Sequence, residues 1–190
     1  MNSPRFKTVG IVGTGAMGRG IAQIAAQASS TVLLFDTQPD AIAKARDSVG
    51  AQWDRLVEKG RLTPEAAAAQ KDRLQPAAAL ADLAGCDLVI EAIVERLDVK
   101  QKLFGELEGI VQPTAVLATN TSSLSVTAIA AGLKRPQQFA GFHFFNPVPL
   151  MKVVEVIAGL KTEPAVCQQL AEYARQMGHT PVQAGDTPGF

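Results

Sequence analysis

His143 and Glu155 are the two residues whose types and placement most directly suggest chemistry. His143 sits in Gly141-Phe-His-Phe-Phe-Asn-Pro147, at the end of an apolar run and just before a proline turn. Glu155 interrupts a second apolar run, Val153-Val-Glu-Val-Ile157, and a charge inside such a strand needs a partner. If the chain reverses around position 149, the two runs pair antiparallel and His143 faces Glu155, with Cβ atoms about 5 Å apart. A carboxylate there holds the imidazole in one tautomer and steadies the cation formed when it accepts a proton. That is the wiring of a general base working near neutral pH.

A second pattern, Gly13-Thr-Gly-Ala-Met-Gly18, fits G-x-G-x-x-G. It follows the apolar run Thr8-Val-Gly-Ile-Val12 and opens a stretch of small and apolar residues long enough to be a helix. In that setting Gly13 permits the tight turn, Gly15 lets the backbone approach a pyrophosphate, and Gly18 lets helix and strand pack closely. Thr14, Ala16 and Met17 complete the loop, and the helix start offers N–H groups to phosphate. Asp36 ends the next apolar run, Thr31-Val-Leu-Leu-Phe35, eighteen residues beyond Gly18, where an acidic side chain accepts hydrogen bonds from an adenosine ribose. Thr37 and Gln38 bring no cation to offset the like charge of an NADP 2′-phosphate, so NAD is the expected cofactor.

The elements that must position these residues follow from the apolar patterning. Strands are expected at 8–12, 31–35, 87–91, 115–119, 139–144, 152–157 and 180–183, and helices at 16–28, 98–110, 125–131 and 163–177. Ile42, Ala45, Val49, Trp53 and Leu56 recur at helical spacing up to Gly60, and Thr63-Pro-Glu65 then caps a second helix to Arg73. This helical arm, at about 40–73, interrupts the strand and helix alternation and is a candidate substrate contact. The fold class is α/β: a doubly wound, mostly parallel sheet with the arm inserted and antiparallel strands near the C-terminal end. Asn120-Thr-Ser-Ser123 is either a polar loop capping the helix at 125 or a ligand contact. His179, after Gly178, is expected to be a solvated histidine at a helix end.

Composition sets the outer limits. The 190 residues are 47% apolar and 19% charged, with 18 basic and 18 acidic side chains, as in an ordinary globular chain of one domain. Zero net charge argues against a non-specific grip on nucleic acid or anionic lipid. The apolar runs fall far short of the roughly 20 residues that span a membrane. Residues 1–8 lack the pattern of a secretory signal. Cys86 and Cys167 stand alone, as reduced core thiols do, and no metal site is expected; the chain reads as cytoplasmic.

Six ordered motifs together give the chain a family likeness. Gly13 to Gly18, Glu91-Ala-Ile-Val-Glu95, Asn120-Thr-Ser-Ser-Leu124, His143-Phe-Phe-Asn-Pro-Val-Pro149, Val154-Glu-Val156 and Asp186-Thr-Pro-Gly-Phe190 resemble the NAD-binding, Rossmann-type domain of the L-3-hydroxyacyl-CoA dehydrogenases. Thr119 stands where that family often has serine.

The resemblance implies oxidation of a 3-hydroxyacyl-CoA to a 3-ketoacyl-CoA in fatty acid, butanoate or aromatic catabolism. It makes His143 the base, Glu155 its stabiliser, Ser122 a contact to the substrate oxygen and cofactor, and Asn146 an orienting residue. Glu95 and Lys100 match positions on the cofactor ribose or nicotinamide side, and the arm near Lys59, Arg61 and Lys71 resembles the region that meets CoA. Family members continue past Phe190 into a helical domain that closes the cleft, adds an asparagine and makes most of the homodimer contact. That domain is absent from these 190 residues, which implies an intact cofactor site and a half-built substrate site. Alternative readings are a dehydrogenase of free hydroxy or sugar acids, and an NAD(H)-binding module without turnover.

Overall fold

The structure, a computed structural model, describes residues 3–187; Pro188-Gly-Phe190 of the closing motif lie outside the described residues. The chain forms β1 (Thr8–Val12), α1 (Ala16–Gln27), β2 (Thr31–Phe35), α2 (Ala41–Glu58), α3 (Pro64–Arg73), β3 (Leu74–Pro76), β4 (Leu88–Glu91) and α4 (Leu97–Ile110). Then follow β5 (Val116–Thr119), α5 (Val126–Ala130), β6 (Phe139–Phe144), β7 (Val153–Ile157), α6 (Pro164–Gln176) and β8 (Thr180–Ala184). A short 3₁₀ turn covers Leu80–Gly85.

All eight strands lie in one sheet, in the order β3-β2-β1-β4-β5-β6-β7-β8. The first six are parallel, β7 runs antiparallel to β6, and β8 is parallel to β7. Each parallel strand must therefore return through a helix, and successive side chains enter opposite layers. Leu88 and Ile90 join one core with α1, α2, α3 and α6, while Val89 joins the other with α4 and α5. Near-continuous apolar strands are what a sheet buried on both faces requires.

The arm is anchored rather than free. Val49, Trp53 and Ala67 are buried in the first core, and Arg73 donates to the Ala26 carbonyl at the end of α1. Thr63 caps α3 as its sequence suggests, its Oγ1 accepting from the Ala66 N–H at 3.1 Å. β3 was not expected: Leu74-Gln-Pro76 is short and contains a proline, and only its pairing with β2 at the sheet edge makes it a strand.

His179 departs from expectation more sharply. Gly178 (φ +84°) turns the chain inward after α6, and His179 is 3% exposed, with Nε2 3.0 Å from the Val148 carbonyl. The solvated reading is therefore corrected: the next strand begins at once, so the imidazole is carried under the turn between β6 and β7.

Candidate active site

β1 delivers the glycine loop to the carboxyl edge of the sheet. Gly13 has φ +95°, and a Cβ there would lie 2.6 Å from the Ala92 carbonyl oxygen. A Cβ on Gly18 would collide with the Gly13 carbonyl oxygen, whereas one on Gly15 meets nothing within 4 Å. Two of the glycines are thus demanded by the protein's own packing, and the third keeps a surface open. α1 begins without a side-chain cap and without an acidic residue in its first turn, so its N–H groups present partial positive charge to that surface.

Asp36 closes this loop from β2. Its Oδ2 accepts from the Thr14 N–H (2.8 Å) and hydroxyl (2.9 Å), and Oδ1 accepts from the Gln38 N–H (2.9 Å). Partial burial pushes its carboxyl up, but these bonds outweigh it and hold it below the usual value. Gly13, Gly15, Asp36, Gln38, Ala92 and Ile93 line a groove of about 290 Å³. An open glycine at an uncapped helix start, beside a carboxylate in a groove whose described lining includes no lysine or arginine, fits the pyrophosphate and ribose of an adenine dinucleotide without a 2′-phosphate.

A second cleft, of about 340 Å³, holds His143, Asn120, Ser122, Glu95, Asn146 and Met17, and it also shares Ala92 and Ile93 with the groove. His143 and Glu155 are direct partners in the β6–β7 register, and Nδ1 lies 2.9 Å from Oε1. Both side chains are mostly shielded, at 13% and 16% exposure. Phe145 packs against the imidazole at 4.6 Å, and Asn120 ties the loop after β5 to β6 by accepting from the Phe144 N–H at 2.8 Å. Asn120-Thr-Ser-Ser123 does not cap α5; Ser125 does, accepting from the Ala128 N–H.

Glu95 bridges the loops after β4 and β5. Its Oε2 accepts from the Ser122 N–H (2.8 Å) and hydroxyl (3.0 Å), and Oε1 lies 2.7 Å from the Lys100 ammonium. Partial burial raises its pKa, but Lys100, the Ser122 N–H and the Thr121 hydroxyl overcome this and bring it down to about 2. Lys100 is fully buried behind the cleft wall and also pairs with Glu91 at 3.0 Å. Lys59 and Arg61 are exposed on the arm, outside both cavities, and Lys71 pairs with Asp54 at 2.6 Å.

Glu91, which opens the Glu91-Ala-Ile-Val-Glu95 motif, has no site role in the sequence expectations, and the structure makes it a neighbour of the site through Lys100. Its signal was present: a carboxylate ending an apolar strand needs a partner, and Lys100 lies at the start of the following helix.

A parallel sheet with an open glycine loop at its first crossover, and a carboxylate-held histidine at the same edge, defines a dinucleotide-binding domain of the dehydrogenase class. Residues 8–187 match the family described as 3-hydroxyacyl-CoA dehydrogenase, NAD binding domain, and the chain belongs to that family. NAD is the cofactor of the domain. The chain is 46% identical over 184 residues to 3-hydroxyadipyl-CoA dehydrogenase of Escherichia coli (strain K12), covering 97% of this chain and 39% of that protein. It is 41% identical over 185 residues to 3-hydroxybutyryl-CoA dehydrogenase of Bradyrhizobium diazoefficiens, covering 97% and 63%. A crystal structure of 3-hydroxybutyryl-CoA dehydrogenase from Escherichia coli K12 superposes with a TM-score of 0.95 at 45% identity, over 100% of this chain and 40% of that one. The chain thus spans from about two fifths to just under two thirds of the length of these relatives. Among the described residues no helix is long and apolar enough to cross a membrane.

Proposed function

We propose that this chain binds NAD and supplies the proton-transferring base for reversible oxidation of an L-3-hydroxyacyl-CoA to a 3-ketoacyl-CoA. The observation that carries this reading is the His143–Glu155 pair, set into a cleft that shares Ala92 and Ile93 of its lining with the glycine-loop groove. Bound NAD supplies a hydride acceptor. With Nδ1 engaged by Glu155, Nε2 of His143 takes the hydroxyl proton, and the Glu155 carboxylate stabilises the imidazolium that results. Ser122 hydrogen-bonds the substrate oxygen as the carbonyl forms, and Asn146 orients the reactants in the same cleft. Glu95 fixes Ser122, and Lys100 fixes Glu95.

The same reading gives the CoA moiety to the arm side, near Lys59 and Arg61, and places the enzyme in the cytoplasm, where the buried thiols Cys86 and Cys167 stay reduced. It assigns closure of the cleft, and a homodimer contact, to a helical domain of the kind the family carries. The greater length of the relatives supports this. NADH-dependent reduction of acetoacetyl-CoA, compared with free acetoacetate, tests the substrate class. The thioester is expected to be the better oxidant by at least about tenfold, an effect of binding energy drawn from the CoA moiety. Equal rates would favour a free hydroxy acid.

A further inference from the structure

Glu91 carries a charge to which the proposed reaction gives no task. Its side chain is fully buried at the end of β4. Oε1 accepts from the Thr119 hydroxyl at 2.6 Å, Oε2 from the Ile93 N–H at 2.8 Å, and Lys100 Nζ lies 3.0 Å from Oε2. A buried ion pair stabilises a fold little, and often less than apolar side chains of the same volume would, so its presence calls for another role.

The arrangement shares one ammonium between two carboxylates. Lys100 is wholly buried between Glu91 and Glu95, whereas the Glu95 side chain is 34% exposed and lines the cleft with Ser122, His143 and Asn146. Were Glu91 uncharged, Lys100 would be left to neutralise Glu95 alone. With Glu91 present, one negative charge remains uncompensated, and its outlet is the Glu95 carboxylate on the cleft wall. Low-dielectric surroundings make such a charge felt over several ångströms.

The two redox states of the cofactor share adenosine, pyrophosphate and both riboses, and they differ in that the oxidised nicotinamide ring is cationic and the reduced ring neutral. In the function proposed above, on which this inference rests, Ser122, His143 and Asn146 would hold that ring in this cleft. We propose that Glu91 is a positioning residue which, through Lys100, keeps excess negative charge at the cleft wall and so favours the oxidised cofactor over the reduced one.

The test is calorimetric measurement of NAD⁺ and NADH dissociation constants for the unmodified chain and its Glu91→Gln and Glu91→Asp variants. Glutamine keeps an oxygen for Thr119 and removes the charge. The ratio of the NAD⁺ constant to the NADH constant is expected to rise about tenfold, the scale of one charge at short range, and aspartate is expected to restore it. A merely structural role would weaken both ligands together and leave the ratio unmoved. If Glu91→Gln does not fold, Glu95→Gln, at the surface, removes the same excess charge and must raise the ratio likewise. A ratio within twofold of the unmodified chain in the folded variants overturns this inference alone; failure of the unmodified chain to bind either cofactor overturns the functional reading and this inference with it.

Discussion

Nδ1 of His143 lies 2.9 Å from Oε1 of Glu155, and the two residues are direct partners across β6 and β7. The turn joining those strands is held from two sides. Val148 packs on Gly20 of α1, where a Cβ would approach Val148 Cβ to 2.8 Å, and the Val148 carbonyl meets His179. The register that creates the pair is therefore fixed by packing some distance from the chemistry.

Removing the carboxylate should act on rate more than on cofactor binding. Glu155→Gln keeps a hydrogen-bond acceptor for the imidazole and loses the charge, whereas Glu155→Ala loses both. Steady-state 3-ketoacyl-CoA reduction is expected to fall about tenfold in the first and about a hundredfold or more in the second. NADH affinity should stay unchanged in both.

The glycines of the loop should separate by phenotype. Gly15→Ala has open space for its methyl group and an ordinary φ, so the melting temperature should stay within a degree or two while NADH binding weakens at least about tenfold, because the methyl occupies the pyrophosphate face. Gly18→Ala drives a Cβ into the Gly13 carbonyl and should lose both stability and binding. Thermal unfolding and calorimetry on the same samples check this.

Asp36 should set the choice between NADH and NADPH. Its charge repels a 2′-phosphate, so the unmodified chain is expected to bind NADPH about a hundredfold more weakly than NADH. Asp36→Ser should narrow that gap at least about tenfold. Its carboxyl is held below the usual 3.8 by the Gln38 and Thr14 bonds, despite the upward push of burial, so the stability it contributes is complete above that value and is lost as pH falls below it.

His179 should give a second pH dependence, with the opposite kind of group and the same direction. Burial holds the imidazole below its ordinary 6.5, outweighing the Val148 and Met177 carbonyls, and the charge of Lys152 adds to the lowering. As pH falls through 6.5 the unfolded chain takes up a proton that the folded chain refuses, so stability declines with falling pH. His179→Gln should flatten the melting temperature between about pH 7.5 and 5.5, at a cost of about 1 kcal/mol for the altered bond to Val148. A slope equal to that of the unmodified chain would show that His179 does not titrate in this window.

Much of the site was legible because it is carried by short-range rules. Alternation and a turn near residue 149 were enough to oppose His143 and Glu155, and a glycine spacing between strand and helix placed the phosphate loop. Burial of Lys100 was not legible in this way. A lysine in the first turn of a helix ordinarily reaches solvent, and only the arrival of Glu91 and Glu95 on either side of it gives the ammonium a reason to be enclosed. The three-residue β3 and the inward turn of His179 likewise depend on partners distant in sequence, β2 for the first and the Val148 turn for the second.

The central claim, that His143 is the base of an NAD-dependent 3-hydroxyacyl-CoA dehydrogenase, is tested most directly by following NADH oxidation with acetoacetyl-CoA. The unmodified chain and its His143→Gln variant are compared, and NADH binding is measured on both. The account predicts equal NADH binding and turnover lower in the variant by about a hundredfold or more. Equal turnover in the two proteins, or no NADH binding by the unmodified chain, would contradict it.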